Sequence, residues 1–233
     1  MIVTVVYGQN HQGSTYHAAR MLAEALTDAA SIREIFLPRD LPQFCCGCGS
    51  CLLRGEETCP HAAALRPLTE KLDEADVLIL ASPVYVYHVT GAMKAFLDHY
   101  AYRWLLHRPQ PAMFHKQAVC LTTAAGAGNR SAQKDLRDSL RHWGVPCIRG
   151  CGFAVRALTW EHVAPETREK IRRRTAALAE KLRRGQGRVR PGIRMKLSFL
   201  IFQRLARRPG WNPADRSYWQ RLGMLEARRP WEC

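Results

Sequence analysis

The first 26 residues constrain the fold more than any other stretch. Ile2-Val3-Thr4-Val5-Val6-Tyr7 is a short apolar run, Gly8 to Gly13 a polar loop, and Ser14 and Thr15 open a new pattern. From there Ala18, Ala19, Leu22, Ala23 and Leu26 recur at the spacing of one helix face. A strand that passes through a hydroxyl-bearing loop into a helix start brings free amides, the positive end of a helix dipole and side-chain oxygens together. That combination suits a phosphate dianion. An ordinary capped helix is the plain alternative, because Ser and Thr are common caps.

The loop also excludes two phosphate motifs. Gly8 and Gly13 have P-loop spacing, but Ser14 stands where the lysine belongs. A dinucleotide turn needs three glycines after this strand, and only Gly8 and Gly13 are there. Gly126-Ala127-Gly128 follows a later strand and lacks the third glycine. A terminal monophosphate held by amides and hydroxyls remains.

The rest of the chain alternates in the same way. Strands are predicted at Ile32–Leu37, Val77–Ala81, Ala118–Thr123 and near Pro146–Val155. Helices are predicted near Ala62–Glu74, from Gly91 to Leu106, from Ser131 to Trp143 and from Glu161 to Arg184. Val77 to Ala81 is apolar throughout, as a strand covered on both faces must be. Five strands separated by helices, with right-handed crossovers, predict an α/β doubly wound parallel sheet. Ligands of such sheets lie beyond the carboxyl ends of the strands. The loops 8–15, 82–88 and 123–129 all fall there and are expected to meet.

Composition sets the limits. The 233 residues, 47% of them apolar, suit one α/β domain of residues 1–185 and an appendage of residues 186–233. No apolar run reaches the ~18 residues of a membrane span. No signal-like segment precedes the first strand, and the nine cysteines do not resemble a secreted disulfide framework. A cytoplasmic location is the expectation. The net charge of +15 is uneven: residues 1–155 carry 15 basic and 13 acidic side chains, residues 156–233 carry 20 and 7. A solvated basic face accounts for the tail, and contact with nucleic acid or an anionic membrane surface is the alternative. Met195–Leu205 is apolar with basic edges, and is expected to pack on its own domain or on a partner subunit.

Three motifs together resemble the NAD(P)H-dependent FMN reductases of the flavodoxin-like superfamily, over residues 1 to about 155. The first is the Gly8–Thr15 loop, although this chain has Asn10 and His11 where that family often has arginine. The second is Ser82-Pro83-Val84-Tyr85, followed by Gly91-Ala92-Met93-Lys94-Ala95-Phe96-Leu97-Asp98-His99. The third, Thr122-Thr123-Ala124-Ala125-Gly126, departs from the family's Thr-x-Gly-Gly by its alanines. The resemblance implies a flavodoxin-like sheet of order 2-1-3-4-5 and an FMN cofactor. Gln9, His11, Ser14 and Thr15 would hold the phosphate. Pro83, Val84, Tyr85 and Val86 would wall the ring, with Thr123, Ala124, Ala125, Gly126 and Gly128 closing its other side. It also implies NAD(P)H as co-substrate, a small acceptor such as a quinone, flavin or nitro compound, and a homodimer or homotetramer. The flavin carries such chemistry, so no catalytic side chain is expected. Lys94 and Asp98 read as a surface pair at i,i+4 spacing.

A second feature stands apart. Cys45, Cys48, Cys51 and Cys59 give the spacing Cys-x2-Cys-x2-Cys-x7-Cys. Three cysteines at that spacing resemble the ferredoxin run that wraps a 4Fe–4S cluster. Iron–sulfur flavoproteins of the same fold carry a similar motif, which makes electron transfer the alternative function. Free or redox-active thiols remain open, and zinc fits less well because structural sites usually pair two separated knuckles. Cys120, Cys147 and Cys151 fall in strand patterns and are expected in the core. A basic nucleic-acid or membrane-surface binding module on a flavodoxin-like core is the third reading.

Overall fold

The computed structural model describes residues 1–226 and 228–232. Five parallel strands, β1 (Val3–Tyr7), β2 (Ile32–Phe36), β3 (Val77–Pro83), β4 (Gln117–Ala124) and β5 (Cys147–Ala154), form one sheet. Their order is β2-β1-β3-β4-β5, so the strand order reverses beside β1, where β1 pairs with both β2 and β3. The carboxyl ends of β1 and β3 are therefore neighbours, and the crevice between them opens at the first and second loops.

The central strands are buried on both faces, which their unbroken apolar sequences require. On one face Leu78, Leu80, Ala118 and Cys120 pack with Leu68 and Leu72 of α3 (Ala62–Glu74), Met93 and Phe96 of α4 (Gly91–His99), and Leu136 and Leu140 of α5 (Asn129–His142). On the other face Val3, Val5, Val77, Ile79 and Val119 meet α1 (Ser14–Glu24) and α6 (Pro165–Gly185). A four-residue helical turn, α2 (Ser50–Leu53), lies within the cysteine-rich connection from β2 to α3.

A third cluster joins the tail to the sheet domain. Phe199 of α7 (Ile193–Ala206) and Trp219 of α8 (Pro213–Arg221) are fully buried against Leu105 and Phe114. Ile193, Leu197, Leu200 and Ile201 face outward on α7 and stay exposed. The segment 195–205 thus packs on its own domain by one face only. No helix among the described residues is long and apolar enough to cross a membrane.

Four expectations are corrected. The helix begun at Gly91 stops at His99 rather than Leu106, and Ala101–Arg103 form a separate turn. That turn lets the buried Arg103 guanidinium donate twice to Asp73, at 2.7 Å each. The helix expected from Glu161 starts at Pro165, because proline fits only the first turn. Helix α8 was not anticipated, although Asn212 caps it through Ala214 N (2.9 Å) and Asp215 N (3.2 Å) with Pro213 behind. Cys120 and Cys151 are buried as expected, whereas Cys147 is only half-buried, at the start of β5.

Candidate functional site

The three loops meet at the carboxyl rim of the sheet. Gly8 N donates to Ala81 O (2.7 Å), which ties the first loop to the end of β3. Val84 N donates to Thr123 O (2.8 Å), which ties the second loop to the third. The hydroxyls of Thr15 and Thr123 lie 2.6 Å apart and join the first to the third. Both threonines are buried, and so is Ser14.

Helix α1 enters this junction uncapped. Gly13 at its N-cap offers no side-chain oxygen, and the first turn has no acidic residue. The leading amides and the positive helix end are therefore available to an anion. Gln9 is half-buried and His11 exposed, and the His11 ring folds over Gly13. The space enclosed by Gln9, His11, Gly13, Thr15 and Tyr16 is small, about 10 Å³. A phosphate on these residues needs the His11 ring to turn outward.

The second loop is a raised wall. Pro83 ends β3 and Val84 is half-buried, but Tyr85, Val86 and Tyr87 are 48%, 92% and 64% exposed. Plain core packing of the two tyrosines is thereby excluded. Val86 and Tyr87 take φ of 48° and 67°, a region that a β-branched residue enters only when its surroundings force it. The force comes from both flanks. Tyr85 and His88 exchange backbone hydrogen bonds at 2.9 and 3.0 Å, and His88 Nδ1 and Val89 N approach Asp135 of α5 at 3.0 and 3.3 Å. A β-carbon on Gly128 would come within 2.7 Å of Val84 Cγ1 and 3.2 Å of Tyr87 Cα, so the third loop presses directly on the second.

In the third loop Ala124 belongs to β4 and is buried, while Ala125 and Gly126 are exposed. Val155 N donates to Ala124 O (2.8 Å) and Arg156 N to Ala125 O (3.1 Å), so β5 braces this loop from behind.

One residue that the motif reading passed over, Thr90, holds the rim together. Thr90 donates its hydroxyl to Gly8 O (2.7 Å) and accepts from Met93 N (3.1 Å), capping α4. Its own N–H donates to Ser82 Oγ (3.1 Å). The signal was present: a threonine directly before a helical pattern is an N-cap candidate. Lys94 and Asp98 pair on the exposed side of α4, as their spacing predicts.

The cysteine-rich connection lies elsewhere. The Cys51 thiol is pushed up by burial first, then by the neighbouring Cys59 and Cys45 thiols. Cys48 is exposed and lowered, with Ser50 and Cys46 hydrogen-bonded to it. Cys45 and Cys59 thus lie near Cys51, and Cys48 is hydrogen-bonded to Ser50. Two histidines not singled out in the sequence stand beside Cys59: ligand atoms of Cys59, His61 and His99 all lie within 4.8 Å. A cavity of about 680 Å³ lies at the opposite rim, between Arg137, Arg141, Val145 and Pro146 and residues Gly192–Met195, away from these loops.

Known proteins share this architecture. Residues 1–159 match the sequence profile of the family described as NADPH-dependent FMN reductase. An iron–sulfur flavoprotein of Archaeoglobus fulgidus is 31% identical over 145 residues, which cover 60% of this chain and 63% of that protein. FMN-dependent NADH:quinone oxidoreductase 3 of Pseudomonas aeruginosa is 34% identical over 113 residues, 40% of this chain and 53% of its own length. The chain spans less than two thirds of either relative. Among solved structures, an apo NADH:FMN oxidoreductase superposes with a TM-score of 0.51 at 23% identity, covering 77% of this chain and 88% of that one. An azoreductase of Bacillus anthracis gives 0.56 at 13% identity, over 78% and 98%. These two bear on the fold.

Proposed function

Because the chain belongs to the NADPH-dependent FMN reductase family, we propose that it is an FMN-dependent NAD(P)H oxidoreductase acting on a small acceptor such as a quinone, a flavin or a nitro compound. The observation that carries this reading is the junction of Thr15, Thr123 and Val84. It brings an uncapped helix start and an exposed aromatic wall to one rim.

Gln9, His11, Ser14 and Thr15 bind the FMN phosphate in this reading. The uncapped amides of α1 complement its charge, and the Ser14 and Thr15 hydroxyls donate to its oxygens. Pro83, Val84, Tyr85 and Val86 hold one side of the ring. Thr123, Ala124, Ala125, Gly126 and Gly128 close the other, and the pressure of Gly128 on Val84 and Tyr87 fixes the spacing between the two loops. FMN held by these residues would supply the redox chemistry between the nicotinamide and the acceptor. No side chain at the rim is required as acid or base. The protein's part is to orient the ring and leave one face open.

The test is FMN titration of the purified chain, followed by NADH and NADPH oxidation with a quinone acceptor. Saturable quenching of flavin fluorescence at one FMN per chain, with acceptor-dependent turnover, supports the reading. Absence of FMN uptake rejects it.

A second reading, electron transfer through a 4Fe–4S cluster on Cys45, Cys48, Cys51 and Cys59, has the approach of Cys45 and Cys59 to Cys51 in its favour. Cys48 is hydrogen-bonded to Ser50 and Cys46 instead. Broad visible absorption after anaerobic purification, beyond that of flavin, would support it.

A further inference from the structure

We infer that Cys59, His61 and His99 form a binding site for a single divalent transition-metal ion, with zinc the best match, separate from the flavin rim and, because it takes Cys59 from the four-cysteine set, exclusive of a cluster on that set. One thiol and two imidazoles form a mixed sulfur and nitrogen donor set, which suits a borderline-soft ion such as Zn²⁺. Their ligand atoms lie within 4.8 Å of one another. The edges of a tetrahedral zinc site measure roughly 3.3–3.8 Å, from metal–ligand bonds of about 2.0–2.3 Å, so rotamer adjustments close the site.

The histidine geometry supplies an independent observation. His99 is 97% buried by its 3% exposure. Its Nε2 lies 3.2 Å from Gln43 O. A carbonyl only accepts, so that contact places the proton on Nε2 and leaves Nδ1 as a bare lone pair. Nδ1 is buried without a hydrogen-bond partner, as is Nδ1 of His61. Each histidine of the cluster thus holds one buried ring nitrogen without a partner, which is costly unless something electrophilic joins it. The Gln43 contact is the arrangement expected behind a metal-bound histidine: the second nitrogen is held by a carbonyl, which fixes tautomer and ring orientation.

Placement along the chain adds a further argument. His99 is the last residue of α4, so the ion sits at the negative end of that helix dipole. Thr90, the other end of α4, belongs to the flavin rim, about 13 Å of helix away. The site therefore clamps the cysteine-rich connection onto α4 instead of touching the reacting ring.

The experiment titrates Co²⁺ into the full chain stripped of metal by a chelator, and measures zinc in the protein as purified. The expected result is one ion per chain, with sulfur-to-cobalt charge-transfer absorption and tetrahedral ligand-field bands. His99→Gln and His61→Asn should each weaken Co²⁺ binding at least about tenfold, whereas Cys48→Ser should leave it unchanged. Far-UV circular dichroism and the urea midpoint report whether each variant is folded, and His61→Asn, at the half-exposed position, is read should His99→Gln misfold. Cobalt binding that is absent, or indifferent to both histidines, overturns the inference. So does iron with acid-labile sulfide that is lost in Cys48→Ser and kept in the histidine variants. The flavin reading stands or falls separately, because no outcome here depends on turnover.

Discussion

The hydroxyls of Thr15 and Thr123, 108 positions apart in sequence, are 2.6 Å apart in space, one donating to the other between two buried residues. This contact joins the start of α1 to the end of β4. Thr15→Val or Thr123→Val keeps the shape and leaves the other hydroxyl buried without its partner, a loss of about 1–3 kcal/mol. FMN affinity should fall roughly tenfold or more in Thr15→Val, because a hydrogen bond to a charged group is worth about 1.5–3 kcal/mol, and by a smaller factor in Thr123→Val, which removes the contact that orients Thr15. The double variant should lose less than the two single losses combined, since the residues are in direct contact. Flavin fluorescence titration of all four proteins measures this. Unchanged affinity in both single variants would remove the threonines from the site.

Thr90 joins helix capping to the same rim. Thr90→Ala removes the cap of α4 and the donor to Gly8 O together. The expected loss is about 1–2 kcal/mol from the cap, with weaker FMN binding because the first loop is released. Thr90→Ser should restore both. Gly8→Ala probes the contact from the other side, because its β-carbon would lie 2.8 Å from Thr90 Oγ1 and 3.0 Å from Ser82 Oγ. Urea midpoints and FMN titrations on the three variants check the coupling.

The sheet was readable because Val77–Ala81 and its sister runs are uniformly apolar, and a doubly wound order follows from strict alternation. The meeting of the three loops followed from that order alone. What was not readable depended on side chains distant in sequence. The stop of α4 at His99 is dictated by the fork between Arg103 and Asp73, which local helical periodicity cannot register. The exposure of Tyr85 and Tyr87 comes from positive φ at Val86 and Tyr87, imposed by Asp135 and Gly128 on α5 and the loop before it. His99 escaped notice because a histidine in the last turn of an amphipathic helix has no spacing that links it to Cys59, 40 positions earlier.

The thiols should divide sharply by pH. Burial pushes Cys120 up to about 12 and Cys151 up to about 11. Both should resist iodoacetamide in the native chain at pH 8, since the thiolate is the nucleophile. Cys48, lowered chiefly by the Ser50 hydrogen bonds and fully exposed, should be labelled first, which peptide mass spectrometry resolves. The same burial affects stability. A thiol whose folded value is raised stabilises the fold below its unfolded value of about 8.5, and that contribution is lost as pH climbs toward 12. Cys120→Ala should therefore flatten the alkaline fall in stability measured by urea unfolding between pH 8 and 10.

The tail and the cysteine-rich connection should loosen together. Asp215 of α8 is completely buried, 2.8 Å from His107 Nδ1 and 3.7 Å from Arg108 Nη1. Arg108 is itself buried and donates to Cys51 O, while Asn212 Nδ2 donates to Leu52 O at 3.0 Å. One arginine thus connects the carboxylate that docks α8 to the backbone of α2. Asp215→Ala leaves a buried guanidinium without its carboxylate, a loss of about 3–5 kcal/mol. Among the described residues Glu56, 3.4 Å from Arg108 Nε and half-exposed, is the acidic partner left to offset the charge. Hydrogen exchange in the variant should quicken across Pro213–Arg221 and also across Ser50–Cys59, with β1 and β3 as protected as before. Faster exchange confined to α8 would show that Arg108 does not transmit the disturbance, and that the cysteine-rich connection is held by α3 and α4 alone.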